Sequence, residues 1–149
     1  YHIETAIFSL NKEFGSLLLS PIYKTAAMGF DGDDFYNLVA KFNSDLSLSS
    51  IETYLKKLED QSGRDRSQAK FSARTLDIDL LLYDKKILHS HGINIPRDEI
   101  LKYAFVLKPL FQIAPQLIHP ETQKSISEHW NSFQLDHKNE IETIKEVFL

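Results

Sequence analysis

Eight consecutive residues, Leu76-Asp77-Ile78-Asp79-Leu80-Leu81-Leu82-Tyr83, constrain this chain more than any other segment. The run is dense in apolar residues yet too short for an ordinary helix, so it predicts a central β-strand. Strand side chains alternate between faces, which puts Asp77 and Asp79 on one side, roughly 7 Å apart along the chain, with Leu76, Ile78 and Leu80 on the other. Two carboxylates on one face of an apolar strand require compensation. A hard divalent cation supplies it, because magnesium takes oxygen ligands and is commonly shared between carboxylates and substrate phosphates. The ordinary alternative is a pair of solvated acids at a sheet margin, or partners for Arg and Lys. Spacing alone leaves both open.

The preceding residues shift the balance. Arg64, Arg66, Lys70 and Arg74 fall in one polar stretch against a single acid, Asp65, in a chain of 149 residues whose net charge is −4. A basic loop of that length beside paired acids suits a nucleoside triphosphate, with Arg forks on the phosphates and magnesium on the acids. A solvated charge run is the default for any one of these residues. The overall negative charge argues against nucleic acid and anionic membranes as partners, so any anionic ligand has to meet this local patch. The absence of Cys excludes a disulfide scaffold, a thiolate nucleophile and Cys-ligated metals. No apolar run reaches the length of a membrane span and the first residues lack the pattern of a signal peptide, so the expected location is the cytoplasm.

Periodicity predicts a helix over residues 3–14, closed by Gly15, then strands over 17–25 and 35–42 pairing antiparallel. A second helix over 49–61 carries Ser49 and Glu52 as a capping box and ends at Gly63. Asp84-Lys85-Lys86 reads as a hairpin tip, residues 101–113 as a short or kinked helix containing Pro109, and residues 124–149 give the weakest pattern. The order predicts an α+β sandwich, with helices on one face of a mainly antiparallel sheet. There is no Walker loop, dinucleotide fingerprint or nucleophile elbow. The six His residues show no ligand spacing; His89 and His91 read as surface, and His119 as structural.

The run Lys70-Phe71-Ser72-Ala73-Arg74-Thr75-Leu76-Asp77-Ile78-Asp79-Leu80-Leu81-Leu82-Tyr83 closely resembles the signature of the 6-hydroxymethyl-7,8-dihydropterin pyrophosphokinase family of folate biosynthesis. The resemblance extends to Thr25 through Asn37, to Glu59 through Arg66 and to Phe105 through Pro115, in the family's order, and covers most of residues 3–120. It implies a ferredoxin-like sandwich and magnesium-dependent transfer of pyrophosphate from ATP to the pterin alcohol, releasing AMP. By the same resemblance, Asp77 and Asp79 hold two magnesium ions, and Arg64, Arg66, Lys70 and Arg74 bind phosphates from a catalytic loop. Glu59 matches an acid near the nucleotide. Asn37 meets the pterin edge, Phe35 and Phe105 stack on its faces, and Thr25, Ala26 and Met28 line the pocket. Without the resemblance, core packing is the ordinary reading of the two Phe residues.

The chain departs from the family pattern at positions that contact ATP. Arg97 stands where the family usually has His and keeps a donor, whereas Tyr103 replaces an Arg and removes a cation. Losing one charge-assisted hydrogen bond to phosphate costs about 1.5–3 kcal/mol. Phe71 replaces the loop Trp, and Ser72-Ala73 replaces Gly-Pro. The family's first strand is expected before the first helix, so residues 1–149 read as one domain without it. Two functions compete: an active pyrophosphokinase, or a catalytically weakened relative that binds pterin or nucleotide. A nucleic-acid module is disfavoured by charge. The expected form is a monomer or a weak homodimer.

Overall fold

The structure is a computed structural model that describes residues 2–25, 35–62 and 76–147. Its contacts cluster into two units, Tyr1–Leu17 with Phe42–Leu80, and Leu18–Lys41 with Leu81–Leu149.

The first unit is built on two amphipathic helices. Helix α1 (His2–Phe14) buries Ala6 and Leu10. It ends where expected, because Gly15 adopts the left-handed φ of 81° and its N–H donates to Asn11 O at 2.9 Å. Helix α2 (Leu48–Gln61) buries Leu48, Ile51, Leu55 and Leu58, four positions on one stripe. Tyr54 on α2 donates its hydroxyl to Ser9 O of α1 at 3.1 Å, and Phe14 stacks on Phe42 at 4.2 Å. The cap of α2 corrects the sequence reading. Ser47, not Ser49, has the extended backbone that a cap needs, and its side chain accepts from Ser50 N. Ser49 already lies within the first turn, where its carbonyl accepts from Thr53 Oγ1. The helix closes on Ser62; Gly63 lies outside the described residues.

The second unit carries all of the assigned strands. Each of the two expected strands is broken in its middle. The first gives β1 (Leu18–Leu19) and β2 (Ile22–Thr25), the second β3 (Phe35–Asn37) and β4 (Ala40–Lys41). Pro21 has no N–H for a ladder, and at the interruption Ser20 Oγ accepts from Val39 N while Ser20 N donates to Val39 O, both at 2.8 Å. The pairing is antiparallel as expected, β1 with β4 and β2 with β3. Strands β5 (Leu88–Ser90) and β6 (Ile93–Ile95) form a hairpin closed by His91 and Gly92, both at positive φ. Asp84–Lys85 is a turn, with Lys86 N donating to Tyr83 O, but the ladder lies further on.

The expected helix over 101–113 is split into α3 (Glu99–Lys102) and α4 (Ala104–Ile113) because Tyr103 is extended, with φ −125° and ψ 129°. The segment with the weakest pattern is highly organised. Helix α5 (Ile126–Asp136) begins with a complete Ser125/Glu128 capping box, α6 (Lys138–Ile141) follows, and β7 (Ile144–Val147) pairs antiparallel with β2. The resulting three-stranded order is β3-β2-β7. Tyr23, Leu107, Ile126, Trp130, Phe133 and Ile144 belong to one buried core that joins this sheet to α4 and α5.

Residues 76–83 overturn an expectation, since they are not a strand. No ladder pairs them among the described residues, and an alternating apolar pattern becomes a strand only when a neighbouring backbone accepts and donates its hydrogen bonds. The chain is an α+β fold with antiparallel strand pairs, and no helix among the described residues is long and apolar enough to cross a membrane.

Candidate functional site

The predicted residues fall into the two units, and each set has its own geometry. In the first unit the alternation across 76–80 survives without a strand. Leu76 is 8% exposed and Ile78 and Leu80 are partly buried, whereas Asp77 and Asp79 are both exposed. Burial of every second apolar residue therefore sends both carboxylates to the solvent side. Glu59 behaves differently, being buried on α2 in line with Leu55 and Leu58. No cluster of three or more His, Cys, Asp or Glu suited to a metal is present among the described residues. A pair of exposed carboxylates supplies hard oxygen donors and leaves the remaining ligands to water or phosphate, which fits magnesium. The open depression of about 480 Å³ beside Thr53, Lys56, Lys57, Asp60 and Gln61 is lined from α2 alone and contains none of the predicted residues.

In the second unit, register brings three predicted residues onto one sheet face. Phe35, Thr25 and Ile144 form one cross-strand row, and Asn37, Tyr23 and Glu146 form the next. Tyr23 and Ile144 are buried on this face, which fixes it as the core side. Phe35 is 64% exposed, so ordinary core packing does not account for it. Phe105, on α4, packs against the same core and stacks on Tyr103 with ring centroids 5.0 Å apart. Thr25 Oγ1 is buried with no hydrogen-bond partner among the described residues. A flat ligand with a polar rim finds here exposed aromatic surface, an amide side chain and an unsatisfied hydroxyl.

Some of the machinery of this face has no predictive signature in the sequence. Tyr23 donates its hydroxyl to Gln112, and Lys108 Nζ lies 5.4 Å from the Tyr23 ring centre. Burial, aided by the nearby Glu146, raises the Tyr23 pKa despite the bond to Gln112. Glu140, from α6, accepts the Ala104 N–H at 3.0 Å and so places a carboxylate at the positive end of α4. Only the three-dimensional arrangement reveals this contact, since 36 residues separate the partners.

Of the two departures, Arg97 is partly engaged, its Nε donating to Glu99 Oε2 at 2.6 Å. Tyr103 is 41% exposed and committed to the stack with Phe105. Ala26, Met28, Arg64, Arg66, Lys70 and Arg74 lie outside the described residues, as do Phe71, Ser72 and Ala73. His119, read as structural, is 3% exposed, and its Nδ1 accepts from Glu121 N and Thr122 N at 3.2 and 3.3 Å.

Comparison with known proteins gives a consistent picture. Residues 1–115 match the family described as 7,8-dihydro-6-hydroxymethylpterin-pyrophosphokinase. The chain is 37% identical over 105 residues to the 2-amino-4-hydroxy-6-hydroxymethyldihydropteridine pyrophosphokinase of Haemophilus influenzae, covering 70% of this chain and 65% of that protein. It is 32% identical over 111 residues to the pyrophosphokinase of the same description from Aquifex aeolicus, covering 74% and 69%. It is also 34% identical over 122 residues to the folic acid synthesis protein fol1 of Pneumocystis carinii, covering 81% of this chain but 16% of that much longer protein.

Proposed function

Because the chain belongs to the 7,8-dihydro-6-hydroxymethylpterin-pyrophosphokinase family, we propose that it transfers pyrophosphate from ATP to 6-hydroxymethyl-7,8-dihydropterin, releasing AMP, as a step of folate biosynthesis. The observation that carries this reading is the shared exposed side of Asp77 and Asp79 within the family-matched residues. The fold is read as the ferredoxin-like sandwich, in a single cytoplasmic domain that is a monomer or a weak homodimer.

Asp77 and Asp79 are the residues that would hold magnesium, two ions on the family pattern. Bound there, magnesium neutralises charge on the ATP phosphates. Arg64, Arg66, Lys70 and Arg74 bind the same phosphates by charge-assisted hydrogen bonds, and Glu59 and Arg97 belong to the nucleotide side. Phe35 and Phe105 stack on the pterin, Asn37 reads its rim, the Thr25 hydroxyl offers a further polar contact, and Ala26 and Met28 complete the wall. The pterin hydroxymethyl oxygen forms a bond to the β-phosphorus and gives up its proton to water, as the bond from that phosphorus to the α,β-bridging oxygen breaks and AMP leaves. Catalysis rests on positioning and charge neutralisation, with no covalent enzyme intermediate.

A second reading, a relative that binds pterin but turns over poorly, is favoured by the Arg97–Glu99 pair and by the uncharged Tyr103. One assay separates them. AMP formation from magnesium-ATP and the pterin, abolished by removing magnesium, supports the enzyme; calorimetric pterin binding with no AMP formed overturns it in favour of the second.

A further inference from the structure

We infer that Tyr103 is a positioning residue for the pterin: it backs the Phe105 ring and presets the plane on which the pterin stacks, rather than serving the nucleotide. The inference rests on the assignment of Phe105 to the pterin.

Tyr103 has little freedom to do anything else. Its N–H donates to Glu99 O at 3.1 Å, and its carbonyl accepts from Val106 N at 3.1 Å and Leu107 N at 3.0 Å. The next residue, Ala104, is fully buried and donates to Glu140, so the hinge between α3 and α4 is held from both sides. From this fixed, extended backbone the ring reaches Phe105 two residues on, with 20° between the planes. The phenol has no cationic group to offer a phosphate. A ring already held in its bound orientation surrenders less rotamer freedom when a ligand stacks on it, so backing Phe105 strengthens pterin binding without a direct contact. Stacked aromatic pairs contribute on a scale equivalent to about 2- to 12-fold in affinity.

The test measures pterin affinity by calorimetry, and KM for pterin and for ATP separately, on the full chain and its variants. Tyr103→Phe keeps the stack and is expected to bind pterin like the parent. Tyr103→Leu keeps bulk but not the flat ring; it is expected to weaken pterin about 2- to 12-fold with KM for ATP and the melting temperature unchanged. In a Phe105→Leu background the same change is expected to add nothing. Three outcomes overturn the inference: unchanged pterin affinity in Tyr103→Leu, a rise confined to KM for ATP, or tighter pterin binding, which would make Tyr103 an occupant of the pterin's place. A parent protein that binds no pterin at all overturns the assignment of function together with the inference, and is distinguished from these by requiring no variant.

Discussion

The acidic segment of the first unit and the sheet face of the second hold their side chains by different means. Asp77 and Asp79 face outward as Leu76, Ile78 and Leu80 turn inward, and no ladder fixes the backbone of the segment among the described residues. Thr25, Phe35 and Asn37 are aimed by register, each locked to a partner across β2 and β3. The difference teaches which residues can be changed without harm to the fold. Removing an exposed acid leaves the buried apolar residues of its segment in place, whereas the sheet face shares its core with the residues that stabilise the unit.

Asp77→Ala and Asp79→Ala probe that contrast most strongly. Each is expected to lower AMP formation about a thousand-fold or more, the scale of the several kcal/mol that a bound metal contributes. Urea unfolding should change by about 1 kcal/mol or less, the scale of a solvent-exposed polar contact. A large loss of stability would show that the carboxylates also hold the segment together. On the other side, Trp130→Ala is expected to cost about 3–5 kcal/mol in urea unfolding, because Trp130 is 5% exposed in the core shared with Tyr23 and Ile144. Pterin binding should fall with it, through the sheet.

Acid is expected to act on the second unit selectively. Protonating His119 at Nδ1 removes the acceptor of two backbone N–H groups. Burial, followed by neighbouring His129, lowers the His119 pKa, with Glu121 opposing; burial and Lys124 lower that of His129, with Glu128 opposing. A folded pKa below the ordinary value means that the neutral ring is favoured in the folded state. The contribution to stability is full above about pH 6.5 and is lost as pH falls from there through the folded value. His119→Phe should flatten this pH dependence and itself cost about 1–3 kcal/mol in unfolding experiments, by leaving the two N–H groups unpaired. The smallest effect belongs to the first unit. Ser47→Ala should cost about 1 kcal/mol by thermal melting, and Ser49→Ala about half of that or less, which checks the corrected cap.

Much of this was legible in local pattern. The stripe Ile51, Leu55, Leu58 and the stop at Gly15 follow from spacing and from glycine's access to positive φ, and the shared side of Asp77 and Asp79 follows from alternation. The Ser125/Glu128 box was present to be read in a segment whose apolar residues were too scattered to draw attention. What local pattern cannot supply is a partner. Residues 76–83 have the composition of a strand without a ladder, while Ile144–Val147 is a strand because β2, far away in sequence, pairs with it. The break at Tyr103 likewise has no Gly or Pro to announce it, and the acceptor that secures the following N–H comes from Glu140.

The position of β7 has a consequence for handling the protein. The family match ends at residue 115, yet the strand that covers one side of β2 lies at Ile144–Val147. A chain trimmed to the matched residues would retain Tyr23 and Thr25 but leave the N–H and C=O groups on that side of β2 bare. Such an open edge is a template for pairing with another molecule, so the shortened protein should self-associate more readily than the longer one.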